Sequence, residues 1–380
     1  MSEVKLKDIA TVIAGQSPNS DYYNMESMGL PFLQGNRTFG LLYPTIDTWT
    51  TKPTKIALSG SILLSVRAPV GDLNFANMDI CIGRGLAAIN ANNKNNRFLY
   101  YALKYNISSL IQASSGTTFS SVNRHDIENL SLIIPKSELE QNIISKTLWD
   151  IDQKIAINNQ INEELEAMAK TLYDYWFVQF DFPDENGKPY KSSGGKMVYN
   201  DQLKREIPEG WGVKCLGELD IATGKRDANF GTENGQYDFW TTANEPIKAD
   251  EYSFEGKAIL IAGNGNFYIN FTEGKFEAYQ RTYVIQSADE NELLFMYPAC
   301  LQSIEKLRKG SNGSIIKYIT IGDVQNISQP YCPVIANMFV DIFRPIMNTI
   351  QKNKQQNQEL TQLRDWLLPM LMNGQVKVEE

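Results

Sequence analysis

His125 is the one histidine in the 380 residues, so a catalytic triad or a histidine-rich metal centre has almost no raw material. Cys81, Cys215, Cys300 and Cys332 are scattered, with no Cys-x-x-Cys pair. Three stretches imitate chemical motifs, and each lacks a required residue. "SGGKM" (193–197) offers a phosphate-loop lysine. Tyr190, however, stands where the first glycine belongs, and Met197 where a hydroxyl would hold magnesium. "GNGNFY" (263–268) begins like a dinucleotide fingerprint, lacks the third glycine, and reads as a turn between strands. "PDENGK" (183–188) has no Asp/Glu-x-Lys after it at a useful strand spacing, and no Asn-Pro-Pro-aromatic motif occurs. The expectation is a binding protein with no catalytic residue, cofactor or metal of its own.

The bulk numbers bound the class. Hydrophobic residues make up 42% and aromatics 11%, which places the chain among globular proteins of two or three domains. No stretch approaches the roughly 18 apolar residues of a membrane span. The N-terminus has no signal-peptide core, and the cysteine usage implies a reducing, cytoplasmic compartment. The net charge of −8 is uneven. Residues 1–137 carry +3, 138–180 carry −5, 181–209 carry −1, 210–332 carry −5 and 333–380 are neutral. Any affinity for nucleic acid must therefore come from local basic faces or a basic partner.

The elements that would position a site are written twice. "SILLSVRAP" at 61 and "AILIAGNGN" at 258 match at an offset of 197. That offset carries Arg84 to Arg281, Gly116 to Gly313, Asp126 to Asp323, and "DIEN" (126–129) to "DVQN" (323–326). "LKDIATVIAG" at 6 also resembles "LGELDIATG" at 216. The runs "GSILLSV", "CIGRGLAAI", "KAILIAG" and "RTYVIQ" read as strands. Residues 95–114 read as a helix with Leu99, Leu103, Ile107 and Leu110 on one face, and "ENELLFMYPACLQSIEKLRKG" fills the same slot in the second copy.

Each copy ends in a long heptad seam. The first runs through Ile144, Leu148, Ile151, Ile155, Asn158, Asn162, Leu165, Ala169, Leu172 and Trp176. Adding 195 gives Phe339, Phe343, Ile346, Ile350, Asn353, Asn357, Leu360, Arg364, Leu367 and Leu371. A helix from 139 to 177 would be about 58 Å long, too long for one small domain. Two such helices most simply pack on each other. A central Asn pair in each seam either fixes register inside the packing or lies on a solvated edge. Pro345 is expected to bend or delay the second helix, and Pro369 to end or kink it.

The chain thus reads as mixed α/β with a pseudo-two-fold repeat. Its order is a globular domain (1–137), a long helix (138–180), a polar connector (181–209), a second globular domain (210–332), a second long helix (333–373) and a tail (374–380).

At this point the sequence resembles the specificity subunit of type I restriction-modification systems. The resemblance covers the whole chain. It rests on the duplicated order and on particular phrases. "YDYWFVQFDFPDENGKPYKSSGGKMVYNDQLKREIPEGW" (173–211) is similar to the family's central region. "LKDIATVIAGQSP" with "PFLQGN", and "IPEGW" with "LGEL", look like the starts of two target recognition domains. "LTQLRDWLLPMLMNGQV" (361–376) looks like the family's ending. The resemblance implies that each recognition domain reads one half of a bipartite, asymmetric DNA target. It implies that the long helices pack as an antiparallel coiled coil that sets the spacer. It implies two docked adenine-methyltransferase subunits using S-adenosylmethionine, and restriction subunits using ATP and magnesium. A solitary DNA-binding protein, or a coiled-coil adapter with protein-binding ends, is the alternative.

Candidate contacts follow from side-chain chemistry. An Arg reads guanine with two hydrogen bonds or holds a phosphate, and Asn and Gln read adenine. Arg84 and Arg281, at one repeat position, form the first pair, against the plainer reading of a salt-bridged surface Arg. Gln34, Asn36 and Arg37 cluster on a loop where turn chemistry alone could explain them. Arg67 follows a strand, with Asn264 at its repeat position. Arg124 could simply pair with Asp126. In the second domain Lys225 and Arg226 form the densest basic spot. Trp240, Thr241, Thr242 and Asn244 complete the set, with the aromatic more at home in a core.

Overall fold

Strands in this chain carry apolar residues on both faces because both faces are covered. In the computed structural model, which describes residues 1–114, 121–311 and 317–376, Ile62–Ser65 (β3) is buried at all four positions. Ile62 and Leu64 pack under the helix Asn96–Ser114 (α1), while Leu63 turns to Leu33, Ile80 and Ile82 of a second sheet. The alternation is the period of two expected of a strand between a helix layer and a sheet layer. Burying each such side chain contributes about 1.5–3 kcal/mol.

The chain divides into two compact units, Met1–Ile161 with Lys352–Glu380, and Asn162–Gln351. In unit 1, Ala10–Ala14 (β1), Leu86–Ala91 (β6), β3 and Leu73–Phe75 (β4) form one antiparallel sheet in the order β1-β6-β3-β4. A second sheet contains Leu30–Leu33 (β2) running parallel to Ile80–Ile82 (β5). The run "CIGRGLAAI" is therefore two strands: the turn at 83–85 passes the chain from one sheet to the other.

Unit 2 repeats this plan. Asp220–Thr223 (β7), Thr282–Gln286 (β12), Ala258–Ala262 (β9) and Ile269–Thr272 (β10) form a sheet in the equivalent order β7-β12-β9-β10. Tyr237–Trp240 (β8) runs parallel to Lys275–Ala278 (β11) in the second sheet. "GNGNFY" is the turn between β9 and β10. The helix Glu290–Gly310 (α3) covers the sheet and is capped by the Asp289 side chain. "DIEN" and "DVQN" lie in short helices that open with matching capping boxes, Asn123 with Asp126 and Thr320 with Asp323. The matched pair Gly116 and Gly313 lies outside the described residues.

The first long helix is Glu138–Tyr173 (α2), continued by a wider turn over Asp174–Val178. That turn brings Trp176 and Phe177 to the same core as Tyr173, with ring centroids 6.2, 5.3 and 6.1 Å from Phe339. The second long helix is Pro333–Met372 (α4). Pro345 does not delay it, since the helix already begins at Pro333, and it runs three residues past Pro369. Phe339, Phe343, Met347 and Ile350 are buried around Pro345, and this packing offsets the lost backbone bond.

Most seam positions are buried, including Ile144, Leu148, Ile155, Ala169, Trp176, Phe339, Phe343, Ile350 and Leu371. Ile151, Leu165, Leu172, Ile346, Leu360 and Leu367 are half-buried. The solvated-edge reading fails for the first Asn pair: Asn158 and Asn162 are buried. Within unit 1, Asn158 Nδ2 donates to Gln356 Oε1 (2.9 Å) and Asn357 Oδ1 (2.8 Å). Asn357 Nδ2 in turn donates to Asn159 Oδ1 (2.7 Å).

The connector is more ordered than a polar loop. Phe180 and Phe182 are buried, and Phe182 lies between Tyr190 (4.8 Å) and Trp211 (4.9 Å). A hairpin pairs Met197–Asn200 with Arg205–Pro208, and Arg205 donates to the Val178 carbonyl (2.7 Å).

Candidate nucleic-acid interface

The turn between β5 and β6 is held by close backbone approach. A Cβ on Gly83 would lie 2.9 Å from Gln34 Cα, and one on Gly85 2.5 Å from the Gln34 carbonyl oxygen, so only glycine fits at either place. Gly83 N–H donates to the Leu33 carbonyl (2.8 Å) and Gly85 N–H to that of Gln34 (3.1 Å). Between them Arg84 is lifted to the surface, with its side chain exposed. Its backbone N–H donates to Ser17 Oγ (3.2 Å), and Ser17 Oγ donates to Gln34 Oε1 (2.8 Å). The Ser17 proton thus fixes the Gln34 amide with Oε1 turned inward and its two N–H donors available.

Arg67 joins the same end of the sheet. Val66 N–H donates to the Gly85 carbonyl (2.9 Å), so the chain leaving β3 runs beside the Arg84 turn. Arg67 is exposed and bridges in backbone register to Ser121. Arg84, Gln34 and Arg67 therefore share one edge, where a cation can meet phosphate and an amide or guanidinium can meet base edges.

Other first-domain candidates are already engaged. Asn36 Nδ2 donates to Asp72 Oδ2. Arg37 pairs with Asp47 at the surface, and its hydrogen bond holds the Asp47 carboxyl below its ordinary pKa. Arg124 pairs with Glu128 (2.7 Å) rather than Asp126, because Asp126 closes the capping box.

The strand registers correct the Arg84–Arg281 pairing. In β3 and β9 the offset of 197 holds, and Arg67 and Asn264 bridge to Ser121 and Tyr318. The hairpin loop that follows is one residue shorter in unit 2. From there the offset is 196: Ile62 faces Phe75 and Ile259 faces Phe271. Leu86 pairs with Ser65, and Thr282 with Ala262. Val66 N–H meets the Gly85 carbonyl where Gly263 N–H meets that of Arg281 (2.7 Å). Arg281 therefore occupies the place of Gly85, and Gln280 that of Arg84.

In unit 2 the exposed Arg281 borders a cavity of about 320 Å³ with Thr223, Gly263, Gln280, Tyr283 and Ile319. Burial pushes the Tyr283 hydroxyl above its ordinary pKa, and the hydroxyl donates to the Ile319 carbonyl (3.0 Å). Lys225 is exposed, with its ammonium 5.6 Å from the Phe254 ring centroid. Thr241 takes the place of Gln34: Tyr279 N–H donates to the Trp240 carbonyl as Gly83 N–H does to that of Leu33. Thr241 Oγ1 accepts from Ala243 N–H (3.2 Å), and its carbonyl accepts from Thr282 Oγ1 (3.0 Å). Thr242 is half-buried and Asn244 exposed on the loop that follows, while Trp240 is a core residue.

Arg226 is a structural cation. It pairs with Glu251 (2.7 Å) and with the fully buried Glu277 (3.4 Å), and stacks on the Phe230 ring at 4.3 Å. Ser17 and Gln280 were not singled out in the sequence. "LNF" at 73–75 against "INF" at 269–271 carries the signal that would have found the shifted register.

Among the described residues, no group of three or more His, Cys, Asp or Glu could hold a metal ion, and no helix is long and apolar enough to cross a membrane.

Comparison with known proteins agrees with this duplicated geometry. The family described as "Type I restriction modification DNA specificity domain" matches residues 1–167 and 208–362. The MjaIX specificity subunit of a type I restriction enzyme from Methanocaldococcus jannaschii is 27% identical over 416 aligned residues, spanning 99% of this chain and 93% of that protein. The putative MjaX specificity subunit from the same organism is 41% identical over 163 residues, 42% of this chain and 38% of that protein. The EcoDI specificity subunit of Escherichia coli is 35% identical over 180 residues, 46% of this chain and 40% of that protein. The crystal structure of the type I restriction-modification S subunit from M. genitalium has the same fold, with a TM-score of 0.64 over 97% of this chain and 95% of that one, at 17% identity. The chain belongs to the type I restriction-modification DNA specificity family.

Proposed function

We propose that this chain is the non-catalytic, DNA-reading subunit of a type I restriction-modification complex, each globular domain reading one half of a bipartite target. The observation that carries the reading is the duplicated sheet-to-sheet turn, which presents Arg84 with Gln34 and Arg67 in unit 1, and Gln280 with Arg281 in unit 2. The two turns differ in side chains while the scaffolds agree, which is what two readers of different half-sites require.

The long helices pair antiparallel as a coiled coil and set the spacer between half-sites. Support comes from contacts inside each unit. Asp152 meets Arg364 and Asn158 meets Asn357 in unit 1, while Tyr173 meets Phe339 in unit 2. Residues farther along α2 meet residues earlier along α4. Two methyltransferase subunits supply S-adenosylmethionine chemistry on adenine, and restriction subunits supply ATP- and magnesium-dependent chemistry. This chain binds none of those groups. Its net charge of −8 fits a subunit whose DNA affinity is completed by basic surface on those partners, in a cytoplasmic complex.

Co-expression with the neighbouring adenine methyltransferase, followed by single-molecule sequencing of methylated host DNA, tests the reading. A bipartite motif is expected, with one half changed when residues 1–137 or 210–332 are exchanged for those of a relative. A stable complex that modifies no motif, or no complex at all, contradicts it and favours the adapter reading.

A further inference from the structure

In unit 1 a single hydroxyl sets the polarity of an exposed amide. Arg84 N–H donates to Ser17 Oγ (3.2 Å), which leaves the Ser17 proton for Gln34 Oε1 (2.8 Å). Turning the amide over would bring Gln34 Nε2 against Ser17 Oγ, which would then accept twice and lose the acceptor for its own proton. The amide also lies against the neighbouring backbone: a Cβ on Gly83 would stand 2.7 Å from Gln34 Oε1 and 3.0 Å from Gln34 Cδ. Gln34 is nevertheless exposed, so its two N–H donors remain accessible.

Unit 2 has no such clamp. Gln280 N–H donates to the Arg226 carbonyl (2.9 Å) where Arg84 N–H donates to Ser17 Oγ, and Thr241 stands in the place of Gln34. The Arg226 side chain is paired with Glu251 and Glu277. What the clamp does is therefore particular to one half-site.

Three chain segments lie side by side at this edge of unit 1. Gly85 N–H donates to the Gln34 carbonyl (3.1 Å), and Val66 N–H to the Gly85 carbonyl (2.9 Å). At a strand spacing of about 4.8 Å, the outer two segments are about 10 Å apart. That width suits the major groove, about 12 Å across, and exceeds the minor groove at about 6 Å. Polarity discriminates in the major groove. Guanine offers two adjacent acceptors, N7 and O6, whereas adenine sets the N6 amino donor beside its N7. Arg84 and Arg67 are exposed cations that suit phosphate as well, but a neutral amide of fixed polarity discriminates only at a base edge.

We propose that Ser17 is a positioning residue for base selection: by holding Gln34 as a donor, it commits the unit 1 turn to guanine and against adenine. The inference rests on the DNA-reading function and adds the base that this residue pair selects. Released from Ser17, the Gln34 amide can rotate and offer a donor and an acceptor together, the pattern that adenine takes.

Methylation motifs of the full complex test it, formed with the neighbouring methyltransferase and read by single-molecule sequencing. The half-site that follows residues 1–137 is expected to contain a G·C pair. There Ser17→Ala admits A·T, raising methylation of the A·T version at least about tenfold while the other half-site is unchanged. Ser17→Thr keeps the hydroxyl and the parent preference. If Ser17→Ala abolishes methylation, Gln34→Glu carries the comparison: it replaces the donor by an acceptor and is expected to lose guanine at that one position. A half-site without a G·C pair overturns the inference while the DNA-reading function stands. So does a motif that Ser17→Ala leaves unchanged or alters in both halves, an equal change in Ser17→Thr, or loss of all methylation in both Ser17→Ala and Gln34→Glu. A parent complex that methylates no motif contradicts the DNA-reading function and the inference together.

Discussion

Arg364 Nη1 lies 2.8 Å from Asp152 Oδ1, and the two side chains are 10% and 1% exposed. Tyr101 donates its hydroxyl to the other carboxylate oxygen at 2.6 Å. Burial works against the charge on Arg364, but the Asp152 and Asp365 carboxylates outweigh it and leave its pKa raised. One long helix supplies Asp152, the other Arg364, and the recognition domain supplies Tyr101. Replacing Arg364 by Ala should cost roughly 3–5 kcal/mol, because Asp152 stays buried without its cation. The double change Arg364→Met with Asp152→Leu should cost less than Arg364→Ala alone. Urea midpoints of the three full-length variants check this.

The seam Asn pair should behave as a unit. Asn158→Leu removes the donor to Asn357 Oδ1 and Gln356 Oε1 and should destabilise by about 1–3 kcal/mol. Adding Asn357→Leu should recover part of that loss, which a thermal double-mutant cycle would read as coupling.

Burial grades the leucines of the helices. Leu148 is fully buried, so Leu148→Ala should cost about 2–5 kcal/mol. Leu165, Leu172, Leu360 and Leu367 are half-buried, and their replacement by Ala should cost roughly half as much in the same denaturation assay.

Arg226 and Lys225 are adjacent, yet they should fail differently. Arg226→Ala removes the cation from the buried Glu277 carboxylate, which keeps Ser253 Oγ and Ala278 N–H as donors, and should lower stability by roughly 1–3 kcal/mol. Lys225→Ala should leave the melting temperature nearly unchanged and reduce the salt dependence of DNA binding by about one counterion.

Glu292 links one edge of unit 2 to acid. The hydrogen bond from Lys214, aided by Ser287, holds its pKa below the ordinary 4.5. The ionised form is therefore favoured in the folded state, and its stabilisation is present above pH 4.5 and lost as pH falls below it. Glu292→Gln should lower the melting temperature at pH 7 and narrow its difference from the parent as pH falls below 4.5.

Much of this architecture is legible in the sequence because periodicity reports burial. The alternation in "GSILLSV" and "KAILIAG" and the two seams correspond to buried strands and helices. Asn158 and Asn162 stand in the seam and are buried, which decides between the two readings that the spacing left open. Other features depend on contacts far apart in sequence. Nothing near Arg226 announces Glu277 as its partner, and Phe182 finds Trp211 across the connector. Pro345 looks like a helix breaker until the aromatic packing around it is seen. The candidate site was the least legible part. One residue missing from a hairpin loop moves Arg281 from the place of Arg84 to that of Gly85, and in a strand such a slip reverses every side chain.

The most direct measurement compares methylation motifs, by single-molecule sequencing, for the parent complex and for the Arg84→Ala and Gln280→Ala variants. The account predicts that Arg84→Ala relaxes or abolishes recognition in one half of the motif only, and Gln280→Ala in the other half only. Equal effects of both variants on both halves, or an unchanged motif in both, would contradict the claim that each turn reads its own half-site.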